Sequence, residues 1–204
     1  EVVRLLLSHA ETDVNQATAR NGSSSLFIAC VRGHKEVERL LLAHDATDVN
    51  QARTDDEVTP LNIACKLGHE EVVRLLLAHA ATDVNKGNMK ESRVSSGTPL
   101  YAACFSNSVG VVNQLLSHAS IDVNRGNQFR SPLYVACWKG HEKVVRLLLA
   151  HAATNVNQAT TDDGYTPLYI ACKKAHVRVV RLLLDHASTD VNLATKYDLS
   201  LIHI

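Results

Sequence analysis

Eleven histidines and five cysteines carry most of the reactive side-chain chemistry in this 204-residue chain. Together they raise the options of a metal centre, a general base or a reactive thiolate. Their spacing argues against each. His9, His44, His79, His118, His151 and His186 occupy one recurring position, and His34, His69, His141 and His176 occupy another, ten residues upstream. At the helical rise two such side chains stand about 15 Å apart, too far to share an ion, and no carboxylate or cysteine set with ligand spacing accompanies them. A cation near a helix C-terminus is favourable, which gives the first set a structural role. Cys30, Cys65, Cys104, Cys137 and Cys172 each follow an alanine within an apolar segment. With no CxxC or CxxH pair, they read as small buried hydrophobes. Serine, histidine and aspartate recur at scaffold positions, so no nucleophile–base–orienter set is confined to one place, and no glycine-rich phosphate loop occurs. The sequence therefore offers no catalytic residues, no metal and no cofactor.

These residues are periodic because the chain is. The stretch Thr59–Asn85, TPLNIACKLGHEEVVRLLLAHAATDVN, recurs with changes as Ser24–Asn50, Thr98–Asn124, Ser131–Asn157 and Thr166–Asn192. From opening Thr or Ser to closing Asn the separation is always 26 positions, whereas the connectors from that Asn to the next opening residue span 9, 9, 13, 7, 9 and 7. A body of fixed length touches neighbours along its whole extent, and a connector of variable length lies at an exposed edge. That is the signature of a stacked repeat array. The division is a partial unit 1–23, complete units 24–58, 59–97, 98–130, 131–165 and 166–198, and a truncated start at 199–204. Both ends fall inside a unit, and the expectation is a fragment of a longer array.

Each unit encodes two helices. Thr59-Pro60 starts the first, with Thr as N-cap and Pro in the first turn, where its missing N–H is harmless. Leu61, Ala64 and Cys65 give it a narrow face of small residues, and Gly68 ends it. The second helix, about Glu70–His79, carries a stripe of Val72, Val73, Leu75, Leu76 and Leu77, wide enough to need cover from several sides. Val84 is the inward anchor of the turn that follows. Beyond it, an exposed finger rich in Asn, Gly, Asp and Thr has turn chemistry suited to a hairpin.

The ordered motifs TPLxxAC, GH-xEVVRLLL and DVN, repeated over essentially the whole chain, resemble the ankyrin repeat. The resemblance implies an all-α repeat solenoid of stacked helix–turn–helix units joined by projecting β-hairpin fingers, an open curved array. It also implies a binding role for a concave surface made by fingers and inner helices. Phe27, Asn62, Tyr101, Tyr134 and Tyr169 stand where the family has histidine, so the hydrogen bond made by that histidine must be replaced or lost. Alanine with an added threonine, as at Ala81-Thr82, replaces the family's glycine after the second helix, so this helix end must close differently. The middle unit diverges most: Asn107 and Ser108 replace Gly-His, Gly110 sits within a helix, and Gln114 replaces a core leucine. The glycine costs about 1 kcal/mol relative to alanine, and the glutamine loses about 1–3 kcal/mol of burial. Thr98–Asn124 is therefore expected to open first.

Composition narrows the partner. Hydrophobic content is 46% with 4% aromatic residues, and the formal net charge is zero. This argues against a dedicated nucleic-acid binder. Charge is uneven, however: Arg125–Arg181 holds nine basic residues against three acidic ones. Lys143/Arg146 and Arg178/Arg181 lie where earlier units carry Glu1/Arg4, Glu36/Arg39 and Glu71/Arg74. The earlier pairs neutralise themselves at i, i+3, and the later ones are expected not to. One reading is a solvated face; the other is an acidic or phosphorylated partner on the two C-terminal units. No apolar run long enough to span a membrane occurs. Buried free cysteines and the lack of a signal peptide point to an intracellular, reducing compartment, cytoplasm or nucleus.

What breaks the period marks the site. The two residues before each unit's glycine position vary: Val31-Arg32, Lys66-Leu67, Phe105-Ser106, Trp138-Lys139 and Lys173-Lys174. In the resembling family these positions line the concave surface. The expected contact residues are Phe105, Phe129, Trp138, Lys139, Tyr165, Lys173 and Lys174, aromatic and basic side chains suited to a protein or peptide partner. The alternative is that Phe105 and Trp138 serve packing alone. Function then reads as a non-catalytic interaction scaffold with no small-molecule substrate. A competing possibility is the recognition arm of a larger enzyme or membrane protein. The longest finger, Lys86–Gly97, suits either a functional loop or a tolerated insertion.

Overall fold

A computed structural model describes residues 2–9, 11–88 and 97–193. Most of the longest finger, Glu1 and the segment 199–204 lie outside the described residues. Within them the regular elements are α1 (Val2–Leu7), α2 (Ser25–Arg32), α3 (Lys35–Leu42), α4 (Pro60–Leu67), α5 (Glu70–Ala78), α6 (Pro99–Phe105), α7 (Val109–Leu116), α8 (Pro132–Lys139), α9 (Glu142–Ala150), α10 (Pro167–Lys173) and α11 (Val177–Leu184). Inner helices α2, α4, α6, α8 and α10 pack on one another in chain order. The outer helices α1, α3, α5, α7, α9 and α11 form a second row. The result is a helical repeat solenoid.

Local chemistry starts each inner helix. The side-chain oxygens of Ser24, Thr59, Thr98, Ser131 and Thr166 accept the backbone N–H three residues on, and α4, α6, α8 and α10 open with proline. After α2, α4 and α8 the chain turns through Gly33, Gly68 and Gly140 at left-handed φ of 66°, 73° and 74°. Asn107 and Ala175 take the same place at φ 58° and 56°, a conformation asparagine tolerates and alanine does not favour. Cys30, Cys65, Cys104 and Cys137 are buried as free thiols, and burial pushes all four well above the ordinary thiol range.

Both histidine sets have structural partners. His69, His141 and His176 bring Nε2 to 3.3, 3.3 and 3.1 Å from the carbonyl oxygens of Val31, Phe105 and Trp138, each in the preceding repeat. A Cβ on Gly140 would stand 2.7 Å from the His176 ring, so the glycine makes room for the next repeat's histidine. The other set meets its own chain. Nδ1 of His44, His118, His151 and His186 accepts the backbone N–H two residues on, at 3.3–3.4 Å. The helix end is closed instead by the added threonine. The hydroxyls of Thr12, Thr47, Thr82, Thr154 and Thr189 donate to the carbonyls of Leu6, Leu41, Leu76, Leu148 and Leu183 at 2.6 Å.

Three other features differ from the sequence reading. Among the described residues no strand forms. The fingers close as tight turns, with Arg53 N–H donating to Val58 O and Thr160 N–H to Tyr165 O, both at 3.0 Å. Each has too few paired residues for a ladder. Gly110 stands beside the Glu70 carboxylate of the preceding repeat, a neighbour the sequence did not reveal; that group is exposed and flexible and would swing aside for a Cβ, so the helix cost of the glycine stands. Gln114, like Leu75, Leu147 and Leu182 at its repeat position, is half-buried and not core, so its burial loss sits at the low end of the expected range.

Candidate functional site

The face carrying the variable positions is built by the last turns of the inner helices and the fingers beside them. Trp138 on α8 lies against Phe105 at the end of α6, ring centroids 6.4 Å apart and tilted by 42°. Both rings are half-buried and pack on the core. Lys139, exposed, lays its Nζ 4.4 Å from the Phe105 centroid and 4.6 Å from that of Trp138. The backbone beneath is fixed by the histidines that meet the Phe105 and Trp138 carbonyls. Burial holds the His141 imidazole below its ordinary range, opposed by its contact with the Phe105 carbonyl and aided by nearby Lys139 and His176.

A second group sits one repeat on. Tyr165 stacks on Tyr169 with centroids 4.5 Å apart. Lys173 Nζ lies 4.6 Å from the Tyr165 centroid and 5.7 Å from that of Tyr169, and 3.4 Å from the Tyr165 hydroxyl. Among the described residues Lys139, Lys173 and Lys174 make no ion pair. Five of the seven expected contact residues thus fall into two lysine-on-aromatic groups. Phe129 is half-buried in its finger, where its carbonyl accepts Thr161 N–H at 3.2 Å. Lys174 caps α10, exposed. Neither makes a ring or cation contact with the two groups among the described residues.

The sequence reading missed the cation–aromatic pairs at the family's histidine position. Arg53 lies 5.3 Å from the Phe27 centroid, and Arg130 lies 5.9 Å from that of Tyr134 while meeting Asp162 at 3.4 Å. Burial pushes the Tyr134 phenol up to about 12, with Arg130 pulling the other way. At the same position Asn62 donates from Nδ2 to the Gly97 carbonyl at 2.6 Å, and Tyr101 accepts at its hydroxyl from Asn127 Nδ2 at 3.3 Å. Part of the signal was available: Phe27 and Tyr134 each have an arginine, Arg53 and Arg130, in an adjoining finger.

On the outer row the charge reading needs correction. Arg74 pairs with Glu71 at 2.9 Å as expected. Arg146, however, pairs with Glu142 at 2.9 Å, and Arg178 reaches the same carboxylate at 3.6 Å. The partner is one turn upstream of Arg146, not at i, i+3, so counting a single spacing hid it.

Among the described residues no group of three or more His, Cys, Asp or Glu is placed to hold a metal ion, and no helix is long and apolar enough to cross a membrane. Capped helix pairs stacked in register, with variable aromatic and basic side chains at the inner-helix ends, define a helical-repeat binding module. The chain belongs to the ankyrin repeat family: a model of three consecutive ankyrin repeats matches residues 1–88 and again 84–160, and a single ankyrin repeat matches 163–196. No curated protein matches the chain. Ankyrin repeats are in general protein–protein interaction modules that do no catalysis.

Proposed function

We propose that the chain binds a partner protein or peptide on the concave face formed by its fingers and inner helices. Contact runs through Phe105, Phe129, Trp138, Lys139, Tyr165, Lys173 and Lys174. The observation that carries this reading is Lys139 lying over both Phe105 and Trp138 with no ion-pair partner among the described residues. An ammonium held on ring faces has its stem ordered in advance, so less entropy is lost on binding. The rings offer flat apolar area and the lysines attract anionic groups, a combination suited to an acidic or phosphorylated segment lying across α8 and α10. Arg181 and Lys143 on the outer row extend the positive field.

The experiment is selection of a random peptide library, with and without phosphoserine, on the purified array. The expected binders are enriched in Asp, Glu or phosphoserine beside an apolar residue. Trp138→Ala combined with Tyr165→Ala then weakens them about tenfold or more, while the helical circular dichroism stays unchanged. Binders indifferent to both substitutions would sink the face assignment. Affinity that falls steeply with salt marks the lysine contribution.

A further inference from the structure

Glu38 on α3 is 0% exposed and lies beside the Cys30 thiol of α2, which in turn neighbours Cys65 on α4 of the next pair. The same repeat position holds Val73 on α5, Val112 on α7, Val145 on α9 and Val180 on α11. Val73, Val112 and Val145 are each fully covered. Neither carboxyl oxygen of Glu38 has a conventional hydrogen-bond partner. A buried ionised carboxylate without a partner carries a heavy desolvation penalty, and a neutral acid carries far less.

We propose that Glu38 is a proton-operated latch. Protonated, it lets α2 and α3 seat against α4 and α5; ionised, it loosens that seam and frees the first pair from the array.

The surroundings leave the carboxyl little else to do. From α2 the titratable group at Glu38 is the Cys30 thiol, itself buried, with the Cys65 thiol of α4 next to Cys30. The buried side chains of α5, which packs on α3, are Val72, Val73 and Leu76, none titratable. On α1, the other outer-row neighbour, the charged residue is Arg4, which is exposed. No cation is therefore buried beside the carboxylate among the described residues. Apolar anchoring of α3 is thin: it buries Leu41 as its one apolar side chain, against three each on α5, α7 and α9 and two on α11. An outer helix held by one apolar side chain is one whose seat a single buried charge can weaken, although α2 beside it buries Leu26, Phe27, Ala29 and Cys30.

Desolvation raises the Glu38 carboxyl from 4.5 to about 7, with a smaller opposing contribution from the Cys30 thiol. The closed seam therefore binds a proton that the open one releases. Closure is fully favoured below the ordinary carboxyl value of 4.5, weakens as pH rises from there, and reaches its floor above about 7. Mild acid fastens the latch.

Amide hydrogen exchange on the intact chain between pH 5 and 8, with intrinsic exchange rates divided out, tests this. The opening constant of α2 and α3 should rise roughly tenfold per pH unit up to the midpoint and then level off, while amides of α9 show no such rise. Glu38→Gln should abolish the pH dependence in α2 and α3. Glu38→Val, which restores the residue of the other pairs, should do so as well and leave the seam more protected at pH 8. Should the glutamine variant not fold, the valine variant still decides. An opening constant in the wild type that does not change with pH, or one that changes equally in the variants, overturns the proposal. So does a Glu38 carboxyl carbon that titrates by NMR in the ordinary carboxylate range.

Discussion

Asn50 and Asp83 lie thirty-three residues apart in the chain, and the Asn50 side-chain oxygen accepts the Asp83 backbone N–H at 2.8 Å. The same side chain donates from Nδ2 to the Ala81 carbonyl at 2.6 Å. The pattern repeats from Asn15 to Asp48 and Ala46, from Asn85 to Asp122 and Ser120, from Asn124 to Asn155 and Ala153, and from Asn157 to Asp190 and Ser188. Each asparagine is first set in place by the Asp or Asn two residues before it, whose side chain accepts its N–H. The DVN motif is thus a polar ladder linking repeat to repeat at the base of the fingers.

Removing one rung should be costly. Asn85→Ala deletes two inter-repeat hydrogen bonds, so stability by urea unfolding should fall by about 1–3 kcal/mol. Asn85→Asp keeps the acceptor but turns an anion toward the Ser120 carbonyl, and should recover little of the loss. A variant as stable as the wild type would show the ladder to be passive.

Ala175 occupies a turn that glycine fills in three other repeats, at φ 56°. Ala175→Gly should therefore stabilise the array by about 1 kcal/mol, because relief of left-handed strain outweighs the added freedom of the unfolded chain. Gly140→Ala should do the reverse and more, since its Cβ would also meet the His176 ring. Thermal melts of the two variants give both signs.

The threonine closing five of the outer helices is open to a clean test. Thr82→Val keeps the shape and loses the hydroxyl bonded to the Leu76 carbonyl. A drop of about 0.5–1.5 kcal/mol is expected. Ile121 stands at the same position in the middle repeat, and Ile121→Val, having no such bond to lose, should cost less than Thr82→Val.

The His141 seam should respond to acid in the opposite sense from Glu38. Burial lowers the folded-state affinity of His141 for a proton from its ordinary 6.5. Its contribution is present above that value and is lost as pH falls below it, toward the lowered folded value. The slope of unfolding free energy between pH 5 and 7 should flatten in His141→Gln. An unchanged slope would remove His141 from the account.

The middle repeat is expected to exchange its amides earlier than the repeats flanking it, with Gly110 and Gln114 as the reasons. Gln114→Leu should slow exchange in α7. If α7 is instead the slowest helix in the array, that expectation fails.

The helices could be foreseen because their causes are local. Ser24, Thr59 and Ser131 as N-caps, the prolines after most of them, and the Gly33, Gly68 and Gly140 terminators act within a few residues, and each repeat restates them. The periodic spacing of Leu, Val, Ala and Cys declared the buried face, and the constant 26-residue body against variable connectors declared the stacking. The aromatic and basic character of the candidate face was legible for the same reason, as a departure from the period at Phe105, Trp138, Lys139 and Lys173. Sequence position could not say which lysine lies on which ring. Lys139 and Trp138 are neighbours in the chain, but Phe105 comes from another repeat, and the geometry of stacking alone brings it under the same ammonium. The asparagine ladder, the histidines reaching back to carbonyls, and the sharing of Glu142 by Arg146 and Arg178 depend likewise on the offset between stacked units. Glu38 shows the division most sharply. Its departure from valine was written in the sequence, but only tertiary packing decides that the carboxyl is sealed from water, and a charge matters to a fold according to its dielectric surroundings.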